Sequence, residues 1–176
     1  WNMASVTDMS SMFAGVSQND FNEISKWNVS SVRNMNSMFA NCSHINPANL
    51  AGWDMSSVRT MTSMFSNCKE LTSVNLPNWN LASAIDMSYL FSNCTNIISV
   101  DLPNWNTSSA QNLSYMFQTC SSLISIDLES WNVSAATNIC SMFDGCYSLT
   151  DVKIKNWSLD SAENLSCMFR ACYQLQ

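Results

Sequence analysis

The sequence predicts an α/β solenoid, a right-handed stack of 26-residue coils with a parallel β-sheet on one face and short helical turns on the other. Two observations predict it. Tryptophan recurs at Trp1, Trp27, Trp53, Trp79, Trp105, Trp131 and Trp157, every interval being 26 residues. Phenylalanine keeps the same step from Phe13 to Phe169, and six cysteines keep it from Cys42 to Cys172. A unit this short cannot bury its own apolar face, so it is stable only when equal units stack on it. The chain, 1–176, is expected to be one repeat array: coils 1–26, 27–52, 53–78, 79–104, 105–130 and 131–156, and a partial seventh, 157–176. Positions within a coil are counted from Trp as position 1.

Each element follows from the pattern, which the third coil shows cleanly. Val58, Met61, Met64 and Phe65, at positions 6, 9, 12 and 13, are spaced like one face of a short helix, with Asn or Asp common at position 8 as its N-cap. Asn or Gly at position 15 (Gly15, Asn41, Asn67, Asn93, Gly145) suits a left-handed C-cap. Thr119 and Ala171 break that rule, which predicts a different ending in their coils. Leu71, Val74 and Leu76, at positions 19, 22 and 24, predict one short strand per coil. In the first coil Val16, Asn19 and Asn22 stand where others carry Cys, Leu and Val, as a weak cap would.

Composition narrows the function. A net charge of −6 and a pI of about 4.4 exclude a basic nucleic-acid binder. Asn (22) and Ser plus Thr (40) supply the turns that only three Gly and three Pro cannot. No apolar run reaches the roughly 18–20 residues that would span a bilayer. The start at Trp1, without an initiator Met or signal peptide, is what an excised or processed piece would show. One histidine, His44, with no laddered counterpart, few charges and no Gly-rich phosphate loop leave no nucleophile and base to assemble, so neither enzymatic activity nor a cofactor is expected.

The motif F-S-N-C-x-x-L-x-S-V-x-L-P-x-W-N, from Phe65 to Asn80, followed by M-S-Y-L-F, resembles the BspA-like leucine-rich-repeat surface proteins. The W-N-x-S-S-V-x-x-M-S-S-M-F form is similar to their bacterial 26-residue subgroup. The resemblance covers the whole chain. It implies a leucine-rich-repeat-like fold, a secreted or surface-anchored location, and adhesion to host or matrix proteins.

The laddered cysteines lie too far apart along an axis for a zinc site, and parallel neighbours hold their Cβ atoms too far apart for a disulfide, which predicts buried free thiols. Cys140 and Cys167, at positions 10 and 11 of consecutive coils, are the exception. They appear together where other coils carry polar residues or Tyr, and their one-residue offset predicts an inter-coil disulfide. Of eight Asn-x-Ser/Thr sequons, Asn28, Asn106, Asn132 and Asn156 are the N-glycosylation candidates, whereas Asn41 and Asn93 serve as caps.

Positions 20 and 23 should face outward on a concave sheet face. Position 20 reads Asp20, Asn46, Thr72, Ile98, Ile124, Thr150, and position 23 reads Glu23, Asn49, Asn75, Asp101, Asp127, Lys153. Thr72, Asn75, Ile98, Asp101, Ile124 and Asp127 are thus the binding-face candidates, an apolar stripe with an acidic margin. Two stacked carboxylates fall short of the 6–8 oxygens that Ca²⁺ takes, so no metal is expected. A serine ladder at position 5 reads as turn chemistry, since position 7 beside it varies freely. The expected function is adhesion to a protein or glycan ligand through the sheet face. The alternative is a filament or surface-layer subunit that self-associates end to end through uncapped coils.

Overall fold

A computed structural model describes residues 1–17, 21–77 and 79–176. Asn19 and Asp20 lie outside the described residues. Apolar positions fix the stacking. Phe13, Phe39, Phe65, Phe91, Phe117, Phe143 and Phe169 form one continuous ring ladder, with centroids 5.4–5.8 Å apart and planes within 13° of parallel. Trp79, Trp105 and Trp131 stack likewise at 5.7 and 5.8 Å. The spacing is one coil, so each ring fills the space its neighbours leave, and the core is a single cluster running from Met3 to Met168.

On one side the coils pair as a parallel sheet in chain order: β1 (Ser73–Asn75), β2 (Ser99–Asp101), β3 (Ser125–Asp127) and β4 (Asp151–Lys153). Among the described residues the expected strand is therefore present in four coils. Coils 1 and 2 carry 3-10 turns there instead, Asn22–Lys26 and Pro47–Leu50. Pro47 brings no N–H to a ladder, and Asn46 accepts from Ala48 N at 3.0 Å, which starts a turn rather than a strand.

The helix expected over positions 8–15 is not formed. That segment is a run of overlapping tight turns, in coil 3 Met64 N to Met61 O, Ser66 N to Ser63 O and Cys68 N to Phe65 O. The alternate amides point along the axis to the next coil, as Met61 N to Asp86 O, Ser63 N to Ser88 O, Phe65 N to Leu90 O and Asn67 N to Ser92 O, at 2.8–3.0 Å. Each backbone donor is thus satisfied without the i to i−4 pattern. Positive φ at positions 11 and 15 of every coil, from Ser11 and Gly15 to Cys167 and Ala171, breaks any helix. The position-8 carboxamide or carboxylate does act as a cap, accepting from the amide two residues on, as Asp8 from Ser10 at 2.8 Å.

Thr119 (φ 57) and Ala171 (φ 59) adopt the same left-handed conformation as their Asn and Gly counterparts. Their coils end as the others do, and in coil 5 the axial bond of Thr119 N to Asp144 O, 2.7 Å, holds the chain there. A β-branched residue in this region is strained. Thr119→Asn is therefore expected to raise unfolding stability in urea by roughly 0.5–1 kcal/mol; an unchanged or lower value would contradict it.

Candidate functional site

The outward side of β1–β4 is built by strand alternation. Val74 and Ile126 turn into the core, while Ser73, Asn75, Ser125 and Asp127 face out. Position 21 (Ser73, Ser99, Ser125, Asp151) therefore shares this face with position 23. The two-residue period that gives position 23 gives position 21 too. Position 20 lies just before the strand and is exposed as well: Ile98 is 50% and Ile124 49% accessible, although apolar. Thr72, Asn75, Ile98, Asp101, Ile124 and Asp127 thus share one uncovered surface. Its row of backbone bonds runs Ile98 N to Thr72 O, Ile124 N to Ile98 O and Thr150 N to Ile124 O.

The electrostatics of this face vary along it. Asp127 accepts from Glu129 N at 3.1 Å and from Lys153 Nζ at 3.2 Å, which together hold its carboxyl below the ordinary range. One coil earlier the facing pair is Asp101 and Asp127, two like charges on neighbouring strands, an unfavourable juxtaposition. The ladder is weakest there. β2 and β3 register at Ser99 with Ser125 alone, against three pairs on either side. Leu76 N reaches Asp101 O and Leu128 N reaches Lys153 O, but Leu102 makes no such bond. The Nε1 of Trp79, Trp105 and Trp157 donates to the carbonyls of Leu50, Leu76 and Leu128, whereas that of Trp131 is buried without a partner. A cleft of about 320 Å³ opens at this seam between Val100, Leu102, Asp101, Asp127 and Glu129. A second, about 430 Å³, lies beside the 3-10 turn of coil 2, between exposed His44, Glu70 and Thr72 and buried Pro47.

The laddered cysteines are free, and five of the six are buried. Each Sγ donates to the Phe carbonyl of the preceding coil, from Cys42 to Phe13 (2.9 Å) through Cys172 to Phe143 (3.1 Å). The disulfide expected between Cys140 and Cys167 is not formed. Cys140 is buried against the Tyr115 hydroxyl of the coil before it, and Cys167 is exposed with Arg170 nearby. Tyr115 also stacks on Tyr89 at the surface, 4.5 Å between centroids, a pair with no counterpart signal in the 26-residue motif.

Asn28, Asn106, Asn132 and Asn156 are all exposed. The first three accept through Oδ1 from the amide two residues on, while Asn156 Nδ2 donates to Glu129 O at 3.4 Å. Among the described residues no group of three or more His, Cys, Asp or Glu could hold a metal ion, and no helix is long and apolar enough to cross a membrane.

Stacked 26-residue coils with a parallel sheet along one side and an uncovered outer face define a repeat solenoid of the leucine-rich-repeat kind. The family described as "Mycoplasma protein of unknown function, DUF285" matches residues 1–100 and again 73–176, and the chain belongs to it. No curated protein matches the sequence. A solved structure similar to it is the crystal structure of a leucine-rich repeat protein from Bacteroides ovatus ATCC 8483, at 17% identity and a TM-score of 0.37, over 98% of this chain and 57% of that one. The chain thus spans little more than half the length of that protein.

Proposed function

We propose that this chain is a non-enzymatic binding module that holds a protein partner against the outer face of β1–β4, and that it works outside the cell in adhesion. The observation that carries this reading is the pair of half-exposed isoleucines, Ile98 and Ile124, stacked on adjacent coils of a sheet face that nothing covers. Exposed apolar side chains ringed by Asp101, Asp127 and polar Ser and Thr have the make-up of a contact patch: an apolar centre and a polar rim. The interior repeats strictly while this face changes from coil to coil, which is how a solenoid adapts a constant frame to a particular ligand. The extracellular setting rests on the likeness to the surface repeat proteins.

The double substitution Ile98→Ala with Ile124→Ala tests the reading. Both side chains are half in solvent, so unfolding stability should move by no more than about 0.5 kcal/mol each. Retention on plates coated with matrix proteins should fall at least about tenfold if the two form the centre of the contact. Retention equal to that of the unaltered chain would overturn the reading.

A further inference from the structure

We propose that the face carrying positions 4, 5 and 7 is a self-complementary interface, on which a second copy of this chain docks antiparallel. Position 7 is a ladder in register through the array: Arg59 N to Arg33 O, Ile85 N to Arg59 O, Gln111 N to Ile85 O, Thr137 N to Gln111 O and Glu163 N to Thr137 O, all 2.8–2.9 Å. One side chain per coil therefore stands in a row that, after Thr7, is basic at Arg33 and Arg59, apolar at Ile85 and acidic at Glu163.

Among the described residues the basic stretch of this row is uncompensated. Lys26, Lys153 and Arg170 each have a carboxylate partner, whereas Arg33 and Arg59 meet none among the described residues. Nearby carboxylates are already engaged. Asp86 accepts from Ser88 and from Asn112 Nδ2, Asp8 from Ser10 and Asn34 Nδ2, and Asp54 from Ser56. Two guanidinium groups side by side on bonded coils repel, and a facing anion would relieve them. The acidic end supplies it: Glu163, at position 7, and Asp160, at position 4, are exposed on coil 7.

The centre is shaped for the same partner. Ile85 is 38% exposed, and beside it lies a groove of about 410 Å³ floored by the small side chains Ala82, Ser83, Ser109 and Ala135. A twofold axis between coils 4 and 5 sets Ile85 of one copy over the groove beside Gln111 of the partner subunit. It sets Arg33 opposite Glu163 of the partner subunit, and each contact occurs twice, as closed symmetry requires. A chain with net charge −6 repels its copy at long range. This alignment sets Arg33 against Asp160 and Glu163 of the partner subunit, with Arg59 one coil away across from Thr137 of the partner subunit and within reach of the same carboxylates, and that complementarity fixes the orientation. The strip is narrow, so the dimer is a weak one that salt dissociates.

Sedimentation equilibrium of the 176-residue chain tests this. The expected result is a concentration-dependent dimer whose dissociation constant rises at least about tenfold between 50 and 500 mM salt. Arg33→Glu with Arg59→Glu, or Asp160→Lys with Glu163→Lys, should each weaken it at least about tenfold, and all four together should restore it to within about threefold. All four positions are exposed, so circular dichroism should stay unchanged. A chain that stays monomeric up to about 1 mM, a dimer indifferent to the charge reversals, or a fourfold variant no better than the doubles would each overturn the proposal.

Discussion

Phe117→Ala is expected to lower the unfolding free energy by about 3–5 kcal/mol, the range for emptying a large aromatic from a core that cannot collapse. Phe117 is fully buried and stacks on Phe91 and on Phe143, both at 5.6 Å and within 13° of parallel. Collapse is blocked by the backbone. Phe117 N is held to Met142 O at 2.9 Å, and Phe91 N to Met116 O, so the coils keep their spacing when the ring is gone. The loss has a second consequence specific to a stacked array. Each coil touches only its neighbours, so weakening one interface separates the coils before it from those after it as folding units. Urea denaturation of the variant should therefore show a broader transition than the unaltered chain, with a smaller m-value, as well as an earlier midpoint. Tyr89→Ala removes half of a stacked pair at the surface and should cost no more than about 1 kcal/mol. A Phe117→Ala cost near that of Tyr89→Ala would mean that the ring ladder is not what holds the coils together.

The ladder was legible in the sequence because an unbroken 26-residue step leaves identical side chains no arrangement except one above another. The conformation of the segment between Met61 and Asn67 was not. Successive tight turns rotate the chain so that positions 6, 9, 12 and 13 face inward, which is also the pattern of a helix, and the deciding feature is where the amides point. Left-handed residues at position 11 would have signalled turns had they been Gly or Asn, but they are Ser11, Ser37, Ser63, Tyr89, Tyr115, Ser141 and Cys167. Neighbouring coils impose that conformation through axial hydrogen bonds that no single coil encodes. The outer sheet face followed from strand alternation, and only its position-21 row was passed over. The groove beside Ile85 could not be read, because the variation along position 7 looks like noise until the fold shows those side chains standing in one row.

Raising the pH above 9 is expected to unfold this chain through its cysteine ladder. Burial is the main force pushing up the thiols of Cys42, to about 11, and of Cys120, Cys146 and Cys172. The neighbouring Cys94 thiol and burial raise that of Cys68. A thiol whose folded-state pKa lies above its unfolded value keeps its proton in the folded chain after the unfolded chain has released it. The contribution to stability is thus complete below pH 9 and is lost as the pH climbs towards the folded value, which for Cys42 is about 11. Each buried thiol forfeits up to about 1.4 kcal/mol per pH unit in that window, less towards the ends of the ladder at Cys42 and Cys172, so the ladder as a whole should remove several kcal/mol by pH 10. That is comparable to the whole stability of many domains. Tyr115 and Lys153 also titrate upward of their ordinary values, but they are common to the unaltered chain and to a Cys68→Ala, Cys120→Ala variant. The comparison therefore isolates the thiols. The variant should start slightly less stable at pH 7, having lost two Sγ to carbonyl bonds, and should lose stability about half as steeply between pH 9 and 10.5. Stability that stays level in the unaltered chain across that range, or an equal slope in the two proteins, would show that the ladder opens to water before its thiols ionise.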